Sequence, residues 1–457
     1  MKKFFFILAL IFHLFFVVFI IAAVTGFGDP PLKETDGIWY WRMFPNTPYT
    51  GKKYGGNFRD GKKDGVWTYW HENGEKKSEG SFKDNKANGV WTYWNEKGIK
   101  TVENEYKENV REATTYFYEN GDKKREGSIK DNKSDGLWLY WNEKGLKQQE
   151  VNWKDGKIDG LLVEYREDGT KARQESYKDG VIEGAKILFF DNGQKESEVN
   201  YQKEIKEGPF TAWYKNGEKD REGNWKNNKK EGLWLYWHEN GEKAGQINWK
   251  ENKQDGVSKI FYENGQKKAE VNYINGIKQG PSNTWHENGA KESEGNWESG
   301  KEQGLWLHWH DNGKKAQHGN WKNGKIEGVC THWYRNGKKE EEGTWENGKA
   351  EGLHVAWHEN GEKYGETNFR GGEHHGELFI WHDNGKPKIK AFFKFDNLIS
   401  SEQWNENGET EPVDEEWKES VENINKISEN PIDAESIHKL LLERLLENSS
   451  ELLPESN

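Results

Sequence analysis

Six histidines share one phase of the sequence. His71, His238, His286, His310, His358 and His382 each stand three residues before a glycine that recurs along the chain. Imidazoles in a row suggest a metal site. In a sheet, equivalent positions of neighbouring units would lie two strand spacings apart, near 10 Å. Zinc needs every ligand within about 2.0–2.1 Å of one ion. The row therefore reads as polar residues beside a turn, and the adjacent His374 and His375 are a weaker metal candidate. Carboxylates are also dense, as in "EKKSEG" and "KKEEEG", and paired acids can hydrolyse glycosides. Here they recur with the same period and sit among lysines, as on a solvated strand face. There is no Gly-x-Ser-x-Gly elbow, phosphate loop or Cys/His pair. The expectation is a protein that is not an enzyme, with no metal and no cofactor.

These residues must be positioned by a repeat. The marker glycine occurs at Gly74, Gly98, Gly121, Gly145 and onward to Gly385 and Gly408, with twelve intervals of 24 residues and two of 23. Four residues before it there is always an aromatic. Eight after it there is nearly always another, Ile129 being the exception. Eleven after it stands Gly or Asn in 12 of 14 cases, the residues that tolerate a left-handed backbone. Segments such as "WTYW" and "LFIW" are too short for helices and rich in strand formers. "ENGEK" and "KNGKI" carry hairpin-turn chemistry. Each unit is predicted to be strand, turn, strand, turn. The fold class follows: all-β, an elongated solenoid or ribbon of antiparallel hairpins with period 24. A hydrophobic N-terminal helix and a short helical C-terminal cap flank it.

Two rows of rings are candidates for different work. The row four before the glycine (Trp70, Trp94, Trp141, Trp213, Trp237, Trp285, Trp309, Trp333, Trp357, Trp381) is invariant in type, so it is expected to be the buried anchor. Positions seven and five before the glycine share the opposite strand face. They are aromatic in some units (Trp67, Tyr69, Trp91, Tyr93, Tyr116, Trp138, Tyr140) and not in others (Lys186, Ala212, Ser258, Ser282). That variability marks the first set as a candidate exposed platform for a partner or ligand.

The rest of the composition narrows the class. Hydrophobic residues are only 32% of 457, yet there are 25 Trp, 18 Tyr and 21 Phe, too many rings for a disordered chain. Of the net charge of −12, residues 409–457 supply −10. The repeat body is near neutral and lacks the basic stripe of a nucleic-acid binder. Cys330 is the only cysteine and reads as a small apolar residue in a strand. Lys2 and Lys3 precede an apolar run from Phe4 to Val24. At 21 residues it exceeds a usual signal-peptide core and suits a single-pass anchor with a cytoplasmic N-terminus and an exported body; the alternative is a cleaved signal and a secreted protein. The expected organisation is anchor or signal (1–26), degenerate first repeat (27–49), array (50–410) and acidic tail (411–457). In the tail Trp417, Val421 and Ile424 have helical spacing, and Asp433 would cap a helix bearing Leu441, Leu442, Leu445 and Leu446.

"GNWESGKEQG", "GNWKNGKIEG" and "GTWENGKAEG" share Gly-x-aromatic-x-x-Gly-x-x-x-Gly. In this the chain resembles the MORN repeat, particularly its bacterial variant with an added aromatic-Asn-Gly half. The resemblance covers about residues 50–410. Copies near Asn104–Arg111 and Val199–Gly208 lose glycines, so irregularity is expected there. The resemblance implies a β-hairpin scaffold that binds protein partners or membranes. Alternatives are a cell-wall or glycan-binding surface protein, since the hairpins also look like choline-binding repeats, and an antitoxin-like partner-binding protein.

Overall fold

The computed structural model describes residues 37–42 and 52–413. Every element among them is a β-strand. The expected N-terminal helix and C-terminal helical cap lie outside the described residues, as do most of the boundaries expected for the flanking segments. The described residues form two compact units, one ending at Val181 and the other beginning at Ile182.

Both units are antiparallel meanders in which each strand pairs with the next. One repeat of the first unit serves as the type. Its first strand is Lys62–Trp70 and its second Lys76–Lys83. They pair in register from Gly65↔Phe82 to Tyr69↔Ser78, with one extra residue opposite Trp70. The turn between them is closed by the Gly74 amide on the His71 carbonyl at 3.1 Å and the His71 amide on Glu75 at 2.8 Å. Gly74 takes φ 90°, which a side chain would disfavour. The next turn is a tight two-residue one, with Asp84 and Asn85 at φ 51° and 66°, the mirror-type geometry that fits strand twist.

All 14 residues eleven after the marker glycine have positive φ, including Glu204 at 67° and Asp396 at 59°. Backbone geometry is thus imposed by the stack even where the residue type opposes it. Glu204 donates its amide to Ile182 O at 3.0 Å, and the same bond recurs down each unit, as Asn85 to Lys63 O at 3.0 Å.

Most first strands also carry a bulge around a glycine nine before the marker; Glu112 and Ile399 hold that place in the other two. Between Gly56↔Trp67 and Phe58↔Lys63 the first strand holds three residues against one, and Gly65 sits there at φ 85°. The two 23-residue intervals are shortened at this place. Glu105↔Ala113 is followed by Tyr106↔Arg111, and Phe392↔Ser400 by Phe393↔Leu398, so one bulge residue is gone. The irregularity expected at Asn104–Arg111 is present. The one expected at Val199–Gly208 is not, because Val199↔Phe210 and Tyr201↔Lys206 keep the ordinary register.

The core lies on one face of the sheet. Trp67, Trp91, Trp138, Trp234 and Trp306, seven before the marker, are buried. Each indole lies flat on the glycine six after the previous marker. A methyl at Gly80 would stand 2.2 Å from the Trp91 ring, and one at Gly223 would stand 2.3 Å from Trp234. The rings eight after the marker meet the indole edge-on, Phe58 and Phe82 at 5.1 and 6.1 Å from Trp67, and Trp225 at 5.3 Å from Trp234. Burying one indole stabilises by several kcal/mol at roughly 25 cal/mol per Å².

Candidate functional site

The two ring rows are placed the other way round from the sequence expectation. Trp67, Trp91 and Trp138 are not an exposed platform: they are 1, 5 and 4% exposed. Their indole N–H groups donate to Asn57 O, Ser81 O and Ser128 O at 3.0–3.1 Å. Tyr69, Tyr93, Tyr116 and Tyr140 are half-buried beside them. Tyr69 lies 6.1 Å from Trp91 and Tyr140 lies 6.3 Å from Trp138, both tilted. Burial raises the Tyr93 and Tyr140 hydroxyls above their ordinary range.

The row expected to be the buried anchor is half-exposed instead. Trp70, Trp94, Trp141, Trp213, Trp237, Trp285, Trp309, Trp333, Trp357 and Trp381 all stand at intermediate burial on the opposite face. A lysine two after the previous marker lies over each of several: Lys76 over Trp94 at 5.6 Å, Lys219 over Trp237 at 5.4 Å, Lys339 over Trp357 at 5.4 Å. The same lysines hold the glutamates five after the marker, as Lys76–Glu79 at 2.7 Å and Lys147–Glu150 at 2.6 Å. The physical reason for the inversion is the glycine beneath each indole. Only a position facing glycine across the strand leaves room for a flat ring, and the row four before the marker has no such partner.

Where the buried Trp is absent, the facing residue changes with it. Asn104 faces Thr114. Val151 pairs with Leu162, Val199 with Phe210, Val271 with Ser282 and Thr367 with Leu378. Glycine faces a flat ring in one set, Gly319 against Cys330 being the exception, and a valine, threonine or asparagine faces a residue without an indole in the other. The variation taken as a sign of function is volume compensation, and comparing adjacent units pairwise in the sequence would have found it. His354 takes the indole's place over Gly343 and keeps its bond, Nε2 to Thr344 O at 2.9 Å. Cys330 is 1% exposed in its strand, as expected, and burial pushes its thiol up to about 11.

The histidine row joins repeats. His71, His286, His310 and His382 place Nε2 at 2.7–3.0 Å from Trp94 O, Trp309 O, Trp333 O and Trp404 O of the next repeat. Tyr214 and Tyr334 at the same position donate to Trp237 O and Trp357 O at 2.8 Å. His238 bonds Phe261 O at 3.0 Å, whereas His358 meets Asp383 at 3.1 Å. His374 bonds Thr367 Oγ1 at 3.0 Å, and the His375 ring lies tilted against Phe395 at 4.4 Å. Among the described residues no three His, Cys, Asp or Glu side chains are grouped to hold a metal. Acids ten before the marker have a structural role too: Glu207 accepts the Asn227 amide and Glu327 the Asn347 amide, both at 2.8 Å.

In nine repeats an aliphatic side chain is left uncovered eight before the marker; Ala113, Ala185, Pro209, Pro281, Glu377 and Ser400 hold that place in the others. Val66, Val90, Leu137 and Leu161 in the first unit, and Leu233, Val257, Leu305, Val329 and Leu353 in the second, are 40–55% exposed. Each pairs with a residue such as Ser81, Asn152 or Asn248, so aliphatic and polar positions alternate across the strands. Members in adjacent repeats, such as Val66 and Val90 or Leu305, Val329 and Leu353, lie two strand spacings apart, about 10 Å.

A family model described as "MORN repeat variant" matches residues 63–84, 182–203, 206–227, 230–251, 254–275, 302–323, 326–347 and 375–395. No curated protein matches the sequence. Two solved structures, "Crystal Structure of TcdB2-TccC3-Cdc42" and "Crystal Structure of TcdB2-TccC3", match at 10% identity with TM-scores of 0.14 and 0.15. The matches cover 79% of this chain and 24% and 25% of theirs, so the chain spans about a quarter of their length. Likeness at that level carries no argument about fold or activity.

Proposed function

Because the chain belongs to the MORN repeat variant family through eight repeats lying within residues 63–395, and such repeats generally bind proteins or membranes, we propose that it is a non-enzymatic scaffold that docks a protein partner. The observation that supports this is the aliphatic row within the second unit, Leu305, Val329 and Leu353 in consecutive repeats, with Leu233 and Val257 on the other side of Pro281. Isolated exposed apolar residues are ordinary, but a row of them at one phase suits an apolar contact surface. The rings the sequence suggested for that task are consumed in the core.

A photo-crosslinking residue at Leu233 or Leu305 is expected to give a discrete protein adduct. The same residue at the exposed turn position Glu239 should give none. Equal labelling from both, or no adduct from the row, removes the proposal. The glycan alternative loses the exposed ring platform it rested on.

Residues 1–26 lie outside the described residues, and among those described no helix is long and apolar enough to cross a membrane. On the sequence alone, the reading extends to an exported body tethered through that run. Retention of the protein in membranes after carbonate extraction would support the tether, and release would remove it.

A further inference from the structure

In the second unit, one repeat departs from the packing rule in a way that leaves space. Ser258 stands where the preceding repeat puts Trp234, and it is 5% exposed; the following repeat has Ser282 at that place. Ile247 replaces the glycine across from it but fills only part of the vacated volume. A cavity of about 270 Å³ remains, walled by Ile247, Val271, Tyr236 and Tyr273. The lysine that lies over the indole elsewhere, Lys63 at 4.3 Å from Trp67 and Lys230 at 4.7 Å from Trp234, is replaced here by Gln254.

Two buried polar atoms line this cavity without a partner: Ser258 Oγ and Gln254 Oε1. Buried polar groups are nearly always satisfied, and those left over call for a reason. Gln254 Oε1 can only accept, so what satisfies it must donate. No carboxylate lines the cavity, so nothing there would neutralise a cation, and the one lysine at its wall, Lys268, lies over the Tyr262 ring at 5.3 Å. Apolar walls, two phenol rings and a convergent pair of polar atoms are the usual make-up of a small-ligand site.

We propose that this cavity binds a small neutral aromatic of about indole size carrying an N–H or O–H donor, the donor reaching Gln254 Oε1 and Ser258 Oγ and the ring lying among Tyr236, Tyr273, Ile247 and Val271. The site is independent of the aliphatic row, and its failure would leave the docking proposal untouched.

The test is titration calorimetry and ligand-observed NMR on the full chain, with indole and benzothiophene as probes. Indole should bind saturably at one site, and benzothiophene, which lacks the donor, several-fold more weakly. Ile247→Gly with Ser258→Trp recreates the pair found at Gly223 and Trp234; it should abolish binding while the unfolding midpoint is kept or raised. Gln254→Leu should bring indole down to the level of benzothiophene. No saturable indole binding, equal affinity for the two probes, or unchanged binding in the double variant would each overturn the proposal.

Discussion

At the scale of single residues, the molecule runs on a size exchange between two positions. The indole of Trp91 needs the missing side chain of Gly80; Ser258 tolerates Ile247. A branched side chain at Gly80 would have its Cβ 2.2 Å from the Trp91 ring, closer than any packing allows. Gly80→Val and Trp91→Ser should each destabilise the first unit strongly, the latter by about 3–5 kcal/mol as for other large-to-small core changes. The two together should cost less than their sum, because they recreate the medium-and-small pairing. Urea midpoints for the four members of the cycle give the coupling, and strict additivity would show that the exchange is not energetic. Glu204 supplies a second case. It occupies a left-handed turn position that most repeats give to Gly or Asn. Glu204→Gly should therefore stabilise the second unit by about 1 kcal/mol, read as a higher melting temperature.

At the scale of the strand pair, the half-exposed ring row is part of an electrostatic ladder. The Lys76, Lys147, Lys267 and Lys339 ammonium groups hydrogen-bond Glu79, Glu150, Glu270 and Glu342 and hold those carboxyls below their ordinary value of 4.5. A depressed folded-state pKa means the unfolded chain takes up protons first as pH falls. The stabilisation is fully present above about pH 4.5 and is lost as pH drops through the lower folded values. Each pair is partly exposed, so each contributes only about 0.2–1 kcal/mol. Unfolding midpoints measured from pH 6 to pH 3 should decline, and Lys147→Met should flatten part of that decline. A profile unchanged by that substitution would remove the pair from the account. The turns act across repeats as well: Asn216 accepts the Glu218 amide at 2.9 Å and donates to Glu239 O of the next repeat at 2.8 Å.

At the scale of the whole molecule, each unit is a sum of near-identical neighbours. Contacts run from one repeat to the next, through the turn amides, the His or Tyr at the first turn and the indole on its glycine. Such an array tolerates gain or loss of a whole repeat. Residues 296–319 begin after Glu294-Gly295 and end at Gly319, so their removal joins Gly295 to Asn320 and retains the native facing of glycine and Cys330. That deletion of 24 residues should leave a folded protein with a strand-dominated circular dichroism spectrum and a melting temperature within a few degrees of the parent. Removing residues 308–319 instead deletes half the period and joins Leu307 to Asn320, fusing pieces of two antiparallel strands, and should abolish cooperative unfolding.

The period, the two turns and the all-β class were legible from the sequence because they rest on local chemistry. A left-handed position selects Gly or Asn, and alternation in short aromatic segments selects strand. The irregularity at Asn104–Arg111 was legible from its lost glycines, whereas the bulge at the glycine nine before the marker shows only in the strand register. The buried face was not legible either. Trp70 and Trp67 are the same kind of ring on opposite sides of one strand, and composition does not distinguish them. The decision belongs to the neighbouring strand, where Gly56 and Gly80 leave space beside Trp67, while Lys76 and Glu79 bring charge to the face that carries Trp70 and Trp94. Burial is a property of pairs brought together by register, so only the tertiary structure could turn the expected platform into the core and reveal the aliphatic row as the uncovered surface.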